Sequence, residues 1–283
     1  MGRNSKTFEK YLINDPTLFD YYVNRNDYAI SPATAFLKYT IEAKDAINMC
    51  VKHFPKKNTK EYTKAATDSL RYVSAALLPA IMGHFETFEK YLFAGMYENS
   101  VFLQKFDVRS FHTKISKISE HEVAIDLGGI SPYRNYDGIS VGMMLADNLH
   151  RWSSPDTVNK YYKCFADYNF FGEEEKKQLF VLWQLRHSLV HNGGTITRAD
   201  SQKVERLNDC SNATIIFENN FINEVARKMH EIVGVATQGL GEAYIKRLIP
   251  SITMTQRKKI EKLFQVRSSV GVWLKGDINE TSI

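Results

Sequence analysis

Breakers of regular structure are sparse in this chain. Seven prolines and fifteen glycines are spread over 283 residues, and most stretches between them repeat apolar residues at the helical period of about 3.6. The expected class is therefore all-α, with few or no strands. The length suffices for one large or two small domains around a sizeable core. Hydrophobic residues make up 43% and charged residues 24%, the balance of a globular chain rather than a fibrous or disordered one. Apolar runs are too short to cross a bilayer. Phe8-Glu9-Lys10 interrupts the apolar stretch that a secretory signal requires, so a cytoplasmic protein without a membrane partner is expected. Cys50, Cys164 and Cys210 are odd in number and far apart, which argues against a disulfide framework and against a CxxC metal site. The net charge of +5 is compatible with a phosphate-bearing partner without requiring one.

Ser31-Pro32-Ala33 reads as a helix start, with Phe36, Leu37, Ile41, Ala46 and Ile47 following at helical spacings and an end near His53-Phe54-Pro55. After the connector Lys56-Lys57-Asn58-Thr59-Lys60, the residues Leu70, Val73, Leu77, Ile81, Phe85, Phe88, Leu92 and Met96 form a long apolar stripe, which Pro79 is expected to kink or to begin. Between about 101 and 156 no period dominates. Gly128-Gly129 and Ser131-Pro132 mark a loop, the paired glycines match no phosphate-binding fingerprint, and 141–152 reads as a helix closed by Ser153-Ser154-Pro155. Glu173-Glu174-Glu175 supplies an acidic first turn to a helix that Asn192-Gly193-Gly194 should end. Thr195-Ile196-Thr197 and Ile215-Ile216-Phe217 read as short extended pieces, Phe221, Val225, Met229 and Ile232 as a further core helix, and Arg257, Lys258, Lys259 and Lys262 as part of a final one. The expected division is an N-terminal extension (1–66), a helical bundle (67–235) and a C-terminal tail (236–283), unless all three form one domain.

The helix over 173–192 carries the chemistry. Leu179, Leu182, Trp183, Leu189 and Val190 fall on one side with Arg186 near the centre, and a guanidinium there must meet a carboxylate, carbonyls, a phosphate or water. A buried or interfacial ion pair is one reading of Arg186, and anion binding is the other. His191 lies about 7 to 8 Å further along the axis and about 140° around it, so the two side chains diverge. They can flank a polyanion or meet their counterparts across a twofold axis. His191 also stands at the carbonyl end of its helix, where it can bind an anion or simply cap the terminal carbonyls. His187 and His191 have the i, i+4 spacing of a shared metal, but Ser188 occupies the place of the glutamate in HExxH and no CxxC adds ligands. No metal site is expected. Ser188 lacks the tight elbow of a serine nucleophile.

The segment Leu185-Arg186-His187-Ser188-Leu189-Val190-His191-Asn192-Gly193 resembles the R-x4-6-H motif of the HEPN superfamily, which lies near the end of a helix and often reads R-N-x-x-V-H-N-x-G. Here His187 stands at the polar position after the arginine. His84-Phe85-Glu86-Thr87-Phe88 is similar to the family's helix that carries a polar residue facing the motif, which makes Glu86 either a partner for Arg186 or a solvated glutamate. The resemblance spans about residues 67–198. It implies a HEPN-type helical bundle with additional terminal helices, acting as a homodimer with a composite site. It further implies a metal-independent endoribonuclease that needs no cofactor, with His191 as base or acid, Arg186 steadying charge on the phosphate, and His187 as a second participant. The products would be a 2′,3′-cyclic phosphate and a 5′-hydroxyl, and DNA would be inert. Asn192, Arg198 and Lys203 would be candidates for RNA contacts, with Arg206 and the basic residues of 257–262 as further ones, each basic residue being otherwise a solvated surface charge; Tyr133, Tyr136, Tyr161 and Tyr162 are stacking candidates among aromatics that otherwise serve the core. Phage defence or a toxin system, with a possible antitoxin or regulatory partner, follows by analogy. Two other readings remain: a catalytically silent HEPN module that binds RNA, nucleotide or protein, and a helical structural protein with a chance motif. The last predicts an Arg186–carboxylate pair inside one subunit.

Overall fold

Residue 7 and residues 23–120 and 140–267 are described by a computed structural model, and within them the chain is all-α. The expected loop at Gly128-Gly129 and Ser131-Pro132, and the tyrosines 133 and 136, lie outside the described residues. Helix α1 (Arg25–Ile30) opens on a capping box in which Asn24 and Asp27 satisfy each other's backbone N–H groups. Helix α2 (Pro32–His53) starts at Pro32 and stops at His53, as its sequence requires. Ser31 precedes it without capping it: its Oγ lies 2.9 Å from the Gln265 carbonyl oxygen, which ties the start of α2 to a segment more than two hundred residues away.

Helix α3 (Lys64–Glu98) is capped by Thr63 and contains Pro79 in its interior. The proline does not begin the helix, because the apolar stripe continues on both sides of it. Having no N–H, it cannot make the i→i−4 hydrogen bond to the Ala75 carbonyl. After a 3-10 turn at Ser100–Phe102, α4 (Val108–Ser119) and α5 (Val141–Asn148) follow. Helix α5 ends four residues before the expected 152. Leu149 is extended, Arg151 takes a left-handed φ of 66°, and the Trp152 indole turns back to donate to the Ala146 carbonyl at 3.0 Å. The tryptophan thus completes α5 as a buried plug rather than as a helical residue.

Helices α6 (Pro155–Lys163) and α7 (Glu173–His191) flank a hairpin that drives Phe165, Phe170 and Phe171 inward. A two-stranded antiparallel sheet pairs β1 (Thr195–Ile196) with β2 (Ala213–Thr214), enclosing α8 (Arg198–Lys203) and a 3-10 segment at Glu205–Cys210. The second strand sits just before the expected 215–217, although the Ile215 N–H still bonds to the Gly194 carbonyl. Helices α9 (Phe221–Ile245) and α10 (Met254–Leu263) complete the described chain.

Helix α3 is the axis of the core. Phe85, Phe88 and Phe93, all fully buried, meet Phe36, Tyr161, Phe165, Phe170 and Phe171 in edge and tilted ring contacts. Apolar residues from α1 through α10 join one contiguous cluster. The expected division points at 66/67 and 235/236 fall inside α3 and α9. No described helix is long and apolar enough to cross a membrane.

Candidate functional site at the C-terminal end of helix α7

The end of α7 is determined by two glycines. Gly193 and Gly194 have φ of 59° and 78°, a region that side chains with a Cβ disfavour. The turn returns the Asn192 and Gly194 N–H groups to the Ser188 carbonyl at 3.1 and 3.0 Å. Asn192 is then held from outside. Its amide donates to Asp200 Oδ2, the Thr197 hydroxyl donates to the same oxygen at 2.8 Å, and Lys203 donates to Oδ1 at 2.9 Å. Burial would raise the Asp200 carboxyl, but the hydrogen bonds from Lys203 and Thr197 and the nearby Lys203 and His187 charges outweigh it and bring it down to about 2. The carboxylate is therefore a permanent anchor for the turn that follows the histidines.

The two histidines sit on the outer side of the same helix end. Their ring centroids are 4.9 Å apart; His191 is exposed and His187 is half-buried. The face that α7 turns to the core consists of Leu179, Trp183, Gln184, Leu185 and Ser188, and Val190, expected on it, is 49% exposed. The buried face is thus rotated towards Gln184 and Ser188, whose side chains satisfy each other at 3.3 Å. This rotation moves Arg186 from the centre of the buried face to its margin, where it is half-buried. Its Nε is nonetheless shielded from water and has no acceptor among the described residues. No described carboxylate is within ion-pairing range of Arg186.

Glu86 does not serve as that partner. It pairs with Lys90 at 2.9 Å, one helical turn away, and Lys90 also lies 3.7 Å from Asp147 of α5. An i, i+4 partner on the same helix costs less ordering than a reach across to α7. Lys203 is engaged by Asp200, Arg206 by Glu174 and Arg257 by Glu261, while Arg198 is exposed at the first position of α8. Tyr161 and Tyr162 are fully buried, and their hydroxyls donate to the His150 and Glu89 carbonyls. They cannot stack on bases, because each faces the aromatic core.

Asp200 and Thr197 escaped the sequence reading of the site although Thr197-Arg198-Ala199-Asp200 carries the T-x-x-D pattern of a helix start. Glu89 escaped it too. It lies next to the apolar stripe of α3, is 1% exposed, and has one carboxyl oxygen without a hydrogen-bond donor among the described residues. Burial, then the Glu86 charge, pushes it well above the usual carboxylate range, against the opposing effect of Lys90. Among the described residues no group of three or more His, Cys, Asp or Glu side chains is arranged to hold a metal ion. Comparison with known families, with curated proteins and with solved structures finds no match to this chain.

Proposed function

We propose that the chain is a metal-independent endoribonuclease of the HEPN kind, using Arg186 and His191 with His187 beside them. The observation that carries this reading is the water-shielded Nε of Arg186, without an acceptor among the described residues, on the same helix end as two neighbouring histidines and a pre-oriented Asn192. A guanidinium donor left without an acceptor is costly unless something else supplies the oxygen, and a phosphate oxygen fits a planar cation.

In the proposed reaction His191 removes the proton from a ribose 2′-hydroxyl. The 2′-oxygen forms a bond to the adjacent phosphorus, and the bond from phosphorus to the departing 5′-oxygen breaks. A second imidazole returns a proton to that oxygen, leaving a 2′,3′-cyclic phosphate and a 5′-hydroxyl. Arg186 opposes the negative charge that builds on the non-bridging oxygens. Arg186 and His191 are five positions apart on the helix, so one copy presents them on diverging sides. Pairing of two α7 ends about a twofold axis gathers both sets around one phosphate. A homodimer is accordingly part of the proposal, as are a cytoplasmic setting and a role in phage defence or a toxin system under an antitoxin or other regulator.

The test is incubation of purified protein with total RNA and tRNA in excess chelator, beside Arg186→Ala and His191→Ala proteins prepared identically. Cleavage by the wild type alone, with cyclic phosphate ends, is the expected result. Equal cleavage by all three proteins, or none by the wild type when RNA is retained without being cut, overturns the nuclease reading, and the latter favours a binding module.

A further inference from the structure

A second cationic site lies away from the histidines. The loop before α4, the end of α6 and the end of α9 converge on a cavity of about 550 Å³. Lys105 and Lys114 reach it from the α4 side, Lys163 from α6, and Lys246 and Arg247 from α9; two carboxylates, Asp107 and Asp167, also line it. Five cations against two anions leave a local excess of positive charge. Elsewhere on the described surface many cations are paired within a turn of helix or with a neighbouring element, as with Lys176, Arg227 and Arg257. None of the four lysines here makes an ion pair with a described residue, and Asp107 is already occupied in capping the Ser110 N–H of α4.

The framework of the cavity is built rather than incidental. The Gln104 N–H bonds to the Arg247 carbonyl at 2.8 Å, the Gln104 amide donates to the Leu248 carbonyl at 2.9 Å, and the Ile249 N–H bonds to the Phe102 carbonyl at 2.8 Å. These contacts lock the α4 loop against the end of α9. The Arg247 guanidinium donates to the Phe165 carbonyl at 2.7 Å, which fixes its position at the wall. Phe106 lines the cavity, half-buried, with its ring parallel to that of Phe165 at a centroid distance of 6.1 Å. Burial pushes the Cys164 thiol up to about 11 despite Lys114, so this part of the wall adds no negative charge.

We propose that this cavity binds a free nucleotide, its phosphates held by Lys105, Lys114, Lys163 and Lys246 and its base set against Phe106. The volume falls within the range of small-ligand sites, about 300 to 1,000 Å³. Several lysines around one concavity, none ion-paired with a described residue, suit a compact polyanion better than a single carboxylate. An aromatic face among them gives a base a stacking surface. The chemistry at the α7 end does not enter this argument.

Titration calorimetry of the full-length protein in chelator and about 150 mM salt tests it, with ATP, inorganic triphosphate and a 2′-O-methyl single-stranded RNA as separate probes. ATP is expected to bind most tightly, with triphosphate weaker for want of the base. The Lys114→Glu/Lys163→Glu variant should bind ATP at least about tenfold more weakly. Lys57→Glu/Lys60→Glu, with the same charge change on a distant connector, should bind as the wild type does. A milder Lys163→Ala/Lys246→Ala variant, checked by its melting temperature, covers misfolding of the first. Absence of ATP binding, equal losses in the cavity and connector variants, or binding of the RNA without ATP overturns the proposal. None of these readouts depends on RNA cleavage, so the two proposals fail separately.

Discussion

At the scale of single residues, the state of Arg186 separates a structural arginine from a functional one. A guanidinium that stabilises its own subunit through a buried pair would be costly to remove, on the order of 3 kcal/mol or more. Here Nε has no acceptor among the described residues, so Arg186→Met should leave thermal stability unchanged or slightly raised. Cleavage, if Arg186 steadies the reacting phosphate, should fall about 100- to 1,000-fold; a melting curve and a rate assay on the same preparation measure both. Asp200 behaves in the opposite way. Asp200→Asn removes the charge that holds Asn192, Thr197 and Lys203, and should cost about 1–3 kcal/mol. Because its carboxyl is lowered in the folded state, this contribution is fully present above the ordinary aspartate range and disappears as pH falls towards 2. Denaturant titrations of wild type and Asp200→Asn should therefore differ at pH 6 and converge at strongly acid pH.

At the scale of elements, the boundaries that depend on local chemistry were legible. Pro32 begins α2, the triple glutamate begins α7, and the Asn-Gly-Gly turn ends α7 at His191. The boundary of α5 was not legible, because it depends on an indole that folds back from four residues beyond the helix to reach the Ala146 carbonyl. The packing of α5 on α3 was equally hidden. It depends on Gly142, where a Cβ would stand 2.5 Å from the Ala94 carbonyl oxygen, a backbone atom that cannot rotate away. Gly142→Ala should destabilise by about 1–3 kcal/mol, read as a lower denaturation midpoint. A substitution at Gly83, where an added Cβ meets nothing within 4 Å, should have no such cost and should gain helix propensity.

At the scale of the whole molecule, Glu89 sets a pH dependence that the surface charges do not. Its carboxyl is raised in the folded state, so the native protein holds a proton that the unfolded chain has released. Stability from this group is greatest below the ordinary glutamate range and declines as pH rises towards the folded value. Glu89→Met, of similar size and without a charge, should flatten that decline and raise the melting temperature more at pH 8 than at pH 4. A variant whose stability follows the wild type at every pH would mean that Glu89 is not the group responsible. The sequence by itself determined that the chain is helical, where α2 and α7 begin and end, and that the end of α7 carries an arginine and two histidines, because periodicity, caps and left-handed turns act over a few residues. Only the tertiary structure decided that α7 is rotated to bury Gln184 and Ser188, that Glu86 is taken by Lys90, that Tyr161 and Tyr162 face inward, and that lysines from three separate elements surround one cavity. Each of these depends on which surfaces compete for burial and for the nearest opposite charge, and that competition exists only once distant segments have been brought together.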